Sequence, residues 1–216
     1  MEDILLIDKP RDWTSFDVVA KVRSSLRKET GQKVKVGHAG TLDPLATGLL
    51  IVLVGKATKQ QDEFMKKDKI YEVELKLGET STTADEEGEK FNISDKKPSQ
   101  DEIQAVLASF IGKIEQIPPA FSAIKVNGQR AYKLARAGKE VKLEPRKVTI
   151  CSITDVSYSY PALKFTTEVS SGTYIRSLVT DIGDVLKTGA YMTSLRRTQI
   201  GELSIKDARN IEQMLD

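Results

Sequence analysis

Apolar residues recur along this chain in two periods, and the switches between them outline its elements. Ile4 to Ile7 reads as a short strand. Thr14 and Asp17 then form a capping box ahead of Val18, Val22 and Leu26, which share one face of a helix running to about Lys28. The unbroken run Leu49-Leu50-Ile51-Val52-Leu53-Val54 predicts a strand buried on both faces. Over residues 70–77 the pattern alternates, with Tyr71, Val73, Leu75 and Leu77 on one side and Glu72, Glu74 and Lys76 on the other. A second capping box, Ser99 with Glu102, opens a helix that carries Ile103, Val106, Leu107 and Phe110 and stops near Gly112. A short helix follows over Arg130 to Ala137, ended by Gly138. Residues 148–158 and 163–169 alternate as strands, Tyr174 to Lys187 returns to helical spacing, and a last helix is expected over Asp207 to Leu215.

Two stretches interrupt this order. Gly78 to Lys97 is acidic and rich in Thr, Ser and Gly, which suits a loop or a weak hairpin. Pro118 to Arg146 is basic and separates two strand-like regions. Strands mixed irregularly with helices, without a repeat or a linker-like break, point to an α+β fold in one catalytic domain over residues 1–216.

Composition narrows the classes. With 39% hydrophobic and 30% charged residues among 216, the chain is of ordinary globular make-up and long enough to bury a core. Cys151 is the single cysteine, so no internal disulfide forms and a reducing, cytoplasmic setting fits. The acidic opening Met1-Glu2-Asp3 gives no expectation of a signal peptide, and no apolar run is long enough to span a bilayer. One histidine and one cysteine leave little material for a metal site. The formal net charge of +2 hides a segregation: Lys125 to Lys147 carries +6, whereas Gln61 to Glu102 carries −6. The basic segment is a candidate phosphate-facing surface, or else a solvated face.

The candidate chemistry lies in Gly37-His38-Ala39-Gly40-Thr41-Leu42-Asp43-Pro44-Leu45-Ala46-Thr47-Gly48, directly before the buried strand. Glycines permit tight or left-handed backbone, and Pro44 biases Asp43 toward extended geometry. The loop holds one carboxylate at the mouth of a core strand. On spacing alone the same residues also suit a plain Asp-Pro turn.

This stretch resembles the catalytic motif G-H-x-G-[TA]-L-D-P-x-A-x-G of the TruB family of tRNA pseudouridine synthases, with every fixed position present. The likeness continues through Asp8-Lys9-Pro10, Thr14-Ser15, Lys69-Ile70-Tyr71, Gln116-Ile117-Pro118-Pro119, Ser122-Ala123-Ile124-Lys125, Gly172-Thr173-Tyr174-Ile175-Arg176 and Leu195-Arg196-Arg197. It departs at Asp12, where the family has Gly after Lys-Pro-x. The resemblance implies a pseudouridine synthase fold: a mixed, mainly antiparallel sheet flanked by helices, with residues 118–146 as a thumb-like RNA-binding insertion. Because the chain ends at Asp216, no C-terminal PUA domain is expected.

The implied reaction breaks the N1–C1′ bond of a uridine, turns the base and joins C5 to C1′. It needs no redox cofactor and no metal. A carboxylate can attack or stabilise positive charge at the sugar. By resemblance Asp43 is that carboxylate, Arg176 its partner, and Tyr71 the residue beneath the uracil, placed to stack and to serve in proton transfer. His38 is expected to fill space near the flipped-out nucleotide, Lys9 to support the Asp43 loop, and Leu195 to line the base pocket. Lys125, Arg130, Lys133 and Arg136 are the expected RNA contacts. From residue type alone, Arg176 would more often be an exposed helix arginine, Tyr71 plain core and His38 structural. Reaching C1′ requires extrusion of the base, which is least costly in a loop. The expected partner is the T-arm stem-loop of tRNA, with uridine 55 as target and the protein a monomer free of membranes. Rival readings are an RNA-binding protein without turnover, the same reaction on another hairpin, and a nucleosidase with an acid pair.

Overall fold

A computed structural model of the protein describes residues 2–122, 124–126 and 128–211. The chain runs through β1 (Glu2–Lys9), α1 (Ser15–Thr30), β2 (Val36–His38), β3 (Thr47–Gly55), α2 (Gln61–Met65) and β4 (Lys69–Leu77). A small pair, β5 (Glu79–Ser81) and β6 (Lys90–Asn92), leads into α3 (Gln100–Ser109) and β7 (Gly112–Gln116). Next come β8 (Lys125–Val126), β9 (Gln129–Arg130), α4 (Ala131–Arg136), β10 (Arg146–Ser159) and β11 (Ala162–Val169). The chain closes with α5 (Ile175–Leu186), β12 (Ala190–Ile200), β13 (Leu203–Ser204) and β14 (Arg209–Asn210). Helices and a mainly antiparallel mixed sheet make this the expected α+β architecture. Two compact units divide the chain, one up to Glu72 and again from Ser194, the other Val73–Thr193, so β4 and β12 each pass through both.

In the first unit the strand order is β14-β1-β3-β12-β4. β1 runs antiparallel to β3 from Glu2↔Gly55 to Lys9↔Gly48, while β12 runs parallel to β3 with Arg197 opposite Gly48. The apolar run in β3 is buried throughout, because both its faces are covered. Leu50 and Val52 pack with Ile7, Val18, Val19, Val22 and Val36, against α1. Leu49, Ile51 and Leu53 pack on the opposite face with Ala39, Phe64 and Ile200. The Thr14 capping box forms in full: Thr14 Oγ1 accepts from the Asp17 N–H, and Asp17 accepts from the Thr14 N–H. Gly31, left-handed at φ 68°, closes α1 by donating to the Arg27 carbonyl.

In the second unit the order is β4-β11-β10-β7. The alternation in β4 holds, with Tyr71, Val73, Leu75 and Leu77 all buried. The acidic stretch is the weak hairpin expected, β5 against β6. α5 turns Ile175, Leu178, Val179, Ile182 and Leu186 inward.

One expectation needs correction. Residues 207–211 form no α-helix: Ile205–Asp207 are a 3-10 turn, and β14 pairs parallel with β1. The rest of the expected last helix, residues 212–215, lies outside the described residues, as does Ala123 of the 122–125 motif. The helix stop near Gly112 is also the start of β7, which pairs with β10.

Asp12 stands where a glycine is expected and behaves as one. It adopts φ 66°, and its N–H donates to the Pro44 carbonyl at 2.9 Å. Aspartate tolerates this left-handed conformation better than most residues.

Candidate active site

The loop that carries Asp43 starts at β2, returns into β3, and is held almost entirely through its main chain. His38 pairs with Val52, and the Ala39 N–H donates to the Ile51 carbonyl, which fixes the entrance. Leu42, Leu45 and Ala46 are buried on either side of Asp43, whose own side chain stays half-exposed. The Ser15 hydroxyl donates to the Leu42 carbonyl at 3.1 Å and accepts from the Leu42 N–H at 2.9 Å. The Asp43 carbonyl accepts from the Ala46 N–H, closing a turn around Pro44. Apolar anchors and main-chain bonds therefore fix the loop on both sides of a half-exposed carboxylate.

Three buried cations serve this unit. Lys9, fully buried, donates to the carbonyls of Pro10 (2.8 Å), Trp13 (2.6 Å) and Pro44 (3.2 Å). Burial pulls its pKa down to about 8 against the attraction of Asp12 and Asp43. Lys69 donates to the carbonyls of Met65 and Lys67 just ahead of Tyr71, and burial lowers its pKa to about 8 as well. Arg197 donates to the carbonyls of Leu49, Thr41 and Gly40. Next to it in sequence, Arg196 instead grips the Asp8 carboxylate with both ends of its fork, at 3.1 and 2.7 Å. His38 is held below its ordinary pKa by burial and by the Arg197 charge, so it is neutral near pH 7. Its Nδ1 is buried without a hydrogen-bond partner. Tyr71 is 8% exposed and Leu195 is 7% exposed.

In the second unit Arg176 overturns the exposed-arginine reading, for it is 5% exposed. It is the second residue of α5. Its guanidinium donates to the Phe121 carbonyl at 2.8 Å and the Thr83 carbonyl at 3.2 Å, and lies 3.7 Å from Asp85. Asp85 is buried and accepts from the Thr83 hydroxyl and the Glu87 N–H. The start of α5 is tied down further where Gln116 Oε1 accepts from the Tyr174 N–H and the Ser177 hydroxyl donates to the Ile117 carbonyl. Both sequence excursions thus converge on one arginine. Asp85, Gln116, Ser15 and Lys69 were not singled out from the sequence. Three of them sit in quoted motifs, while Asp85 lies hidden among the surface acids of the 78–97 stretch.

Lys125, Arg130, Lys133 and Arg136 are all exposed on β8, β9 and α4, and Arg136 lies over the Tyr132 ring at 5.7 Å. Lys9, His38, Asp43, Tyr71 and Leu195 belong to the first unit; Arg176 and the four basic residues belong to the second. Among the described residues no helix is long and apolar enough to cross a membrane.

The TruB family pseudouridylate synthase N-terminal domain matches residues 27–175, and the tRNA pseudouridylate synthase B C-terminal domain matches residues 176–216. A tRNA pseudouridine synthase B of Parabacteroides distasonis is 46% identical over 216 residues, spanning 99% of this chain and 92% of its own. One from Phocaeicola vulgatus is 44% identical over 212 residues, spanning 97% of this chain and 90% of its own. Among solved structures, a chain in the crystal structure of a Cbf5-Nop10-Gar1 complex superposes with a TM-score of 0.76 and 28% identity over 99% of this chain. This chain spans about half the length of that one, 53%.

Proposed function

This chain belongs to the TruB family of pseudouridylate synthases, and from that premise we propose that it converts uridine 55 in the T loop of tRNA to pseudouridine. Asp43 supplies the carboxylate on which cleavage of the N1–C1′ bond depends. The base then turns, C5 bonds to C1′, the C5 proton leaves and N1 gains one. No redox step enters. The observation that carries this reading is the Asp43 loop itself, a half-exposed carboxylate in a loop whose main chain is fixed by Lys9 and Ser15.

The other assignments follow. Arg176 takes the role of the family's arginine that partners the reacting aspartate, a planar donor suited to a carboxylate. Its buried fork, already fixed by two carbonyls and Asp85, suits that task. Tyr71 stacks beneath the uracil, Leu195 lines its pocket, and neutral His38 packs beside the flipped nucleotide. Lys9 supports the loop from below. Residues 1–216 act as one catalytic domain, monomeric and cytoplasmic, with residues 118–146 as its RNA clamp. The exposure of Lys125, Arg130, Lys133 and Arg136 supports that role, as does their shared charge.

The test uses tRNA transcripts tritiated at uridine C5. The account expects one tritium released per tRNA and none when position 55 is changed to cytidine. Free uracil among the products would indicate a nucleosidase. Tight binding with no release would indicate an RNA-binding protein without turnover.

A further inference from the structure

We propose that Arg197 is a positioning residue for the reaction: its guanidinium, acting with the Ser15 hydroxyl, fixes the main chain of the loop that presents Asp43. The inference rests on Asp43 being the reactive carboxylate.

Arg197 is 1% exposed. Its Nη2 reaches the Gly40 carbonyl at 3.1 Å and its Nη1 the Thr41 carbonyl at 3.4 Å, both just before Asp43. Its Nε donates at 2.8 Å to the Leu49 carbonyl, just after the loop. One planar group therefore ties the way in to the way out. The main chain of Arg197 lies against the exit too: it pairs with Gly48, and a Cβ on Gly48 would fall 2.3 Å from the Arg197 carbonyl oxygen. Ser15, buried at the first turn of α1, holds Leu42 at both its N–H and its carbonyl. Gly40, Thr41 and Leu42 are thus each held by a side chain from outside the loop, and Asp43 comes next.

Such anchoring is needed here. Gly40 sits at φ 107°, outside the range that other residues hold by themselves, so the loop entrance has little stiffness of its own.

The chemistry of Arg197 separates this role from plain stability. Among the described residues its hydrogen bonds go to carbonyls and none to a carboxylate. Burying a cation without a counter-ion is costly, and even buried ion pairs are often replaced by apolar residues of similar volume without loss of stability. What an apolar side chain cannot do is hold three carbonyls at fixed directions. A lysine would keep the charge and lose the fork. The contrast with Arg196 is instructive, since that neighbour uses its fork on the half-exposed Asp8 carboxylate. The charge of Arg197 is also felt at His38, Lys9 and Lys69, which places it among the groups around the loop.

The experiment compares wild type, Arg197→Lys and Ser15→Ala on the same tRNA transcript. It reads single-turnover rate, KM, tRNA Kd and the melting temperature. A displacement of about 1 Å in a reacting group costs up to roughly 100-fold in rate. The expected result is a rate lowered about 10- to 100-fold in Arg197→Lys and several-fold in Ser15→Ala. KM and Kd should stay within about twofold of wild type, and both variants should remain folded at the assay temperature. Ser15→Ala removes one hydroxyl, so it decides the matter even if Arg197→Lys does not fold. Wild-type rates in the folded variants would overturn the proposal. So would a loss of rate that merely follows the fraction of unfolded protein, or one carried wholly by KM. If wild type itself makes no pseudouridine, the functional reading fails instead, and the two failures are distinct.

Discussion

Replacing Gly48 with alanine tests the architecture that delivers Asp43. Gly48 lies at φ 103°, and a Cβ there would sit 2.3 Å from the Arg197 carbonyl oxygen and 2.8 Å from its nitrogen. Those atoms belong to the parallel β3–β12 pairing, so they cannot move aside without opening the sheet. The left-handed backbone costs an L-residue about 1–2 kcal/mol, and overpacking adds about 1–3 kcal/mol. Reduced freedom of the unfolded chain returns about 0.4–1 kcal/mol. The net is a loss of about 1–5 kcal/mol, centred near 3 kcal/mol, or roughly 6–12 °C in melting temperature at the centre for a chain of this size. Gly31→Ala is the control. It shares a left-handed φ of 68°, yet a Cβ there meets nothing within 4 Å. It should cost only the backbone part, about 1 kcal/mol and roughly 2–4 °C. Thermal melts followed by circular dichroism report both. A Gly48→Ala protein no less stable than Gly31→Ala would refute the reasoning that close main-chain approach fixes this end of the loop.

Other expectations follow from the same structure. Arg176→Lys keeps the charge but loses the fork that meets Thr83, Phe121 and Asp85, so turnover should fall far more than tRNA affinity; Tyr71→Phe should likewise bind tRNA normally and turn over slowly, as single-turnover rates beside filter binding will show. Changing Arg130, Lys133 and Arg136 together to glutamine should weaken tRNA binding and flatten its salt dependence by roughly 2–3 in log–log slope, while the same uridine is modified; an unchanged slope would mean a merely solvated surface. Asp181 has its pKa raised to about 6 from 3.8, chiefly by burial and then by Asp184. The folded state thus holds its proton more tightly than the unfolded one, so stability falls as pH rises from about 4 to about 6 and the penalty is complete above that. Asp181→Asn should therefore stabilise by about 1–3 kcal/mol at pH 7.5 and by little at pH 4; an equal gain at both would contradict the cause.

Much of the fold is legible because its elements carry local signals. β3 is buried on both faces and reads as an unbroken apolar run, and the boxes at Thr14 and Ser99 mark the starts of α1 and α3. β12 escaped notice for the opposite reason. Its alternation is broken by Arg196 and Arg197, one of them fully buried on carbonyls that no local pattern reveals. β14 is two residues long and exists only through its pairing with β1. In the site, Asp43 stands out because its loop is written in consecutive residues. Asp85 and Gln116 do not, because what they hold, Arg176 and the Tyr174 N–H, comes about sixty to ninety residues later. Residue type alone likewise misjudges Arg176, whose burial depends on acceptors supplied by two distant excursions.

The most direct test of the central claim is the rate at which purified Asp43→Asn, free of wild-type enzyme, forms pseudouridine in tRNA under single-turnover conditions. Asparagine keeps the size and shape of the side chain and removes its charge, so fold and tRNA affinity should match wild type. The account predicts no detectable pseudouridine and no tritium release. Substantial turnover by this protein would contradict it.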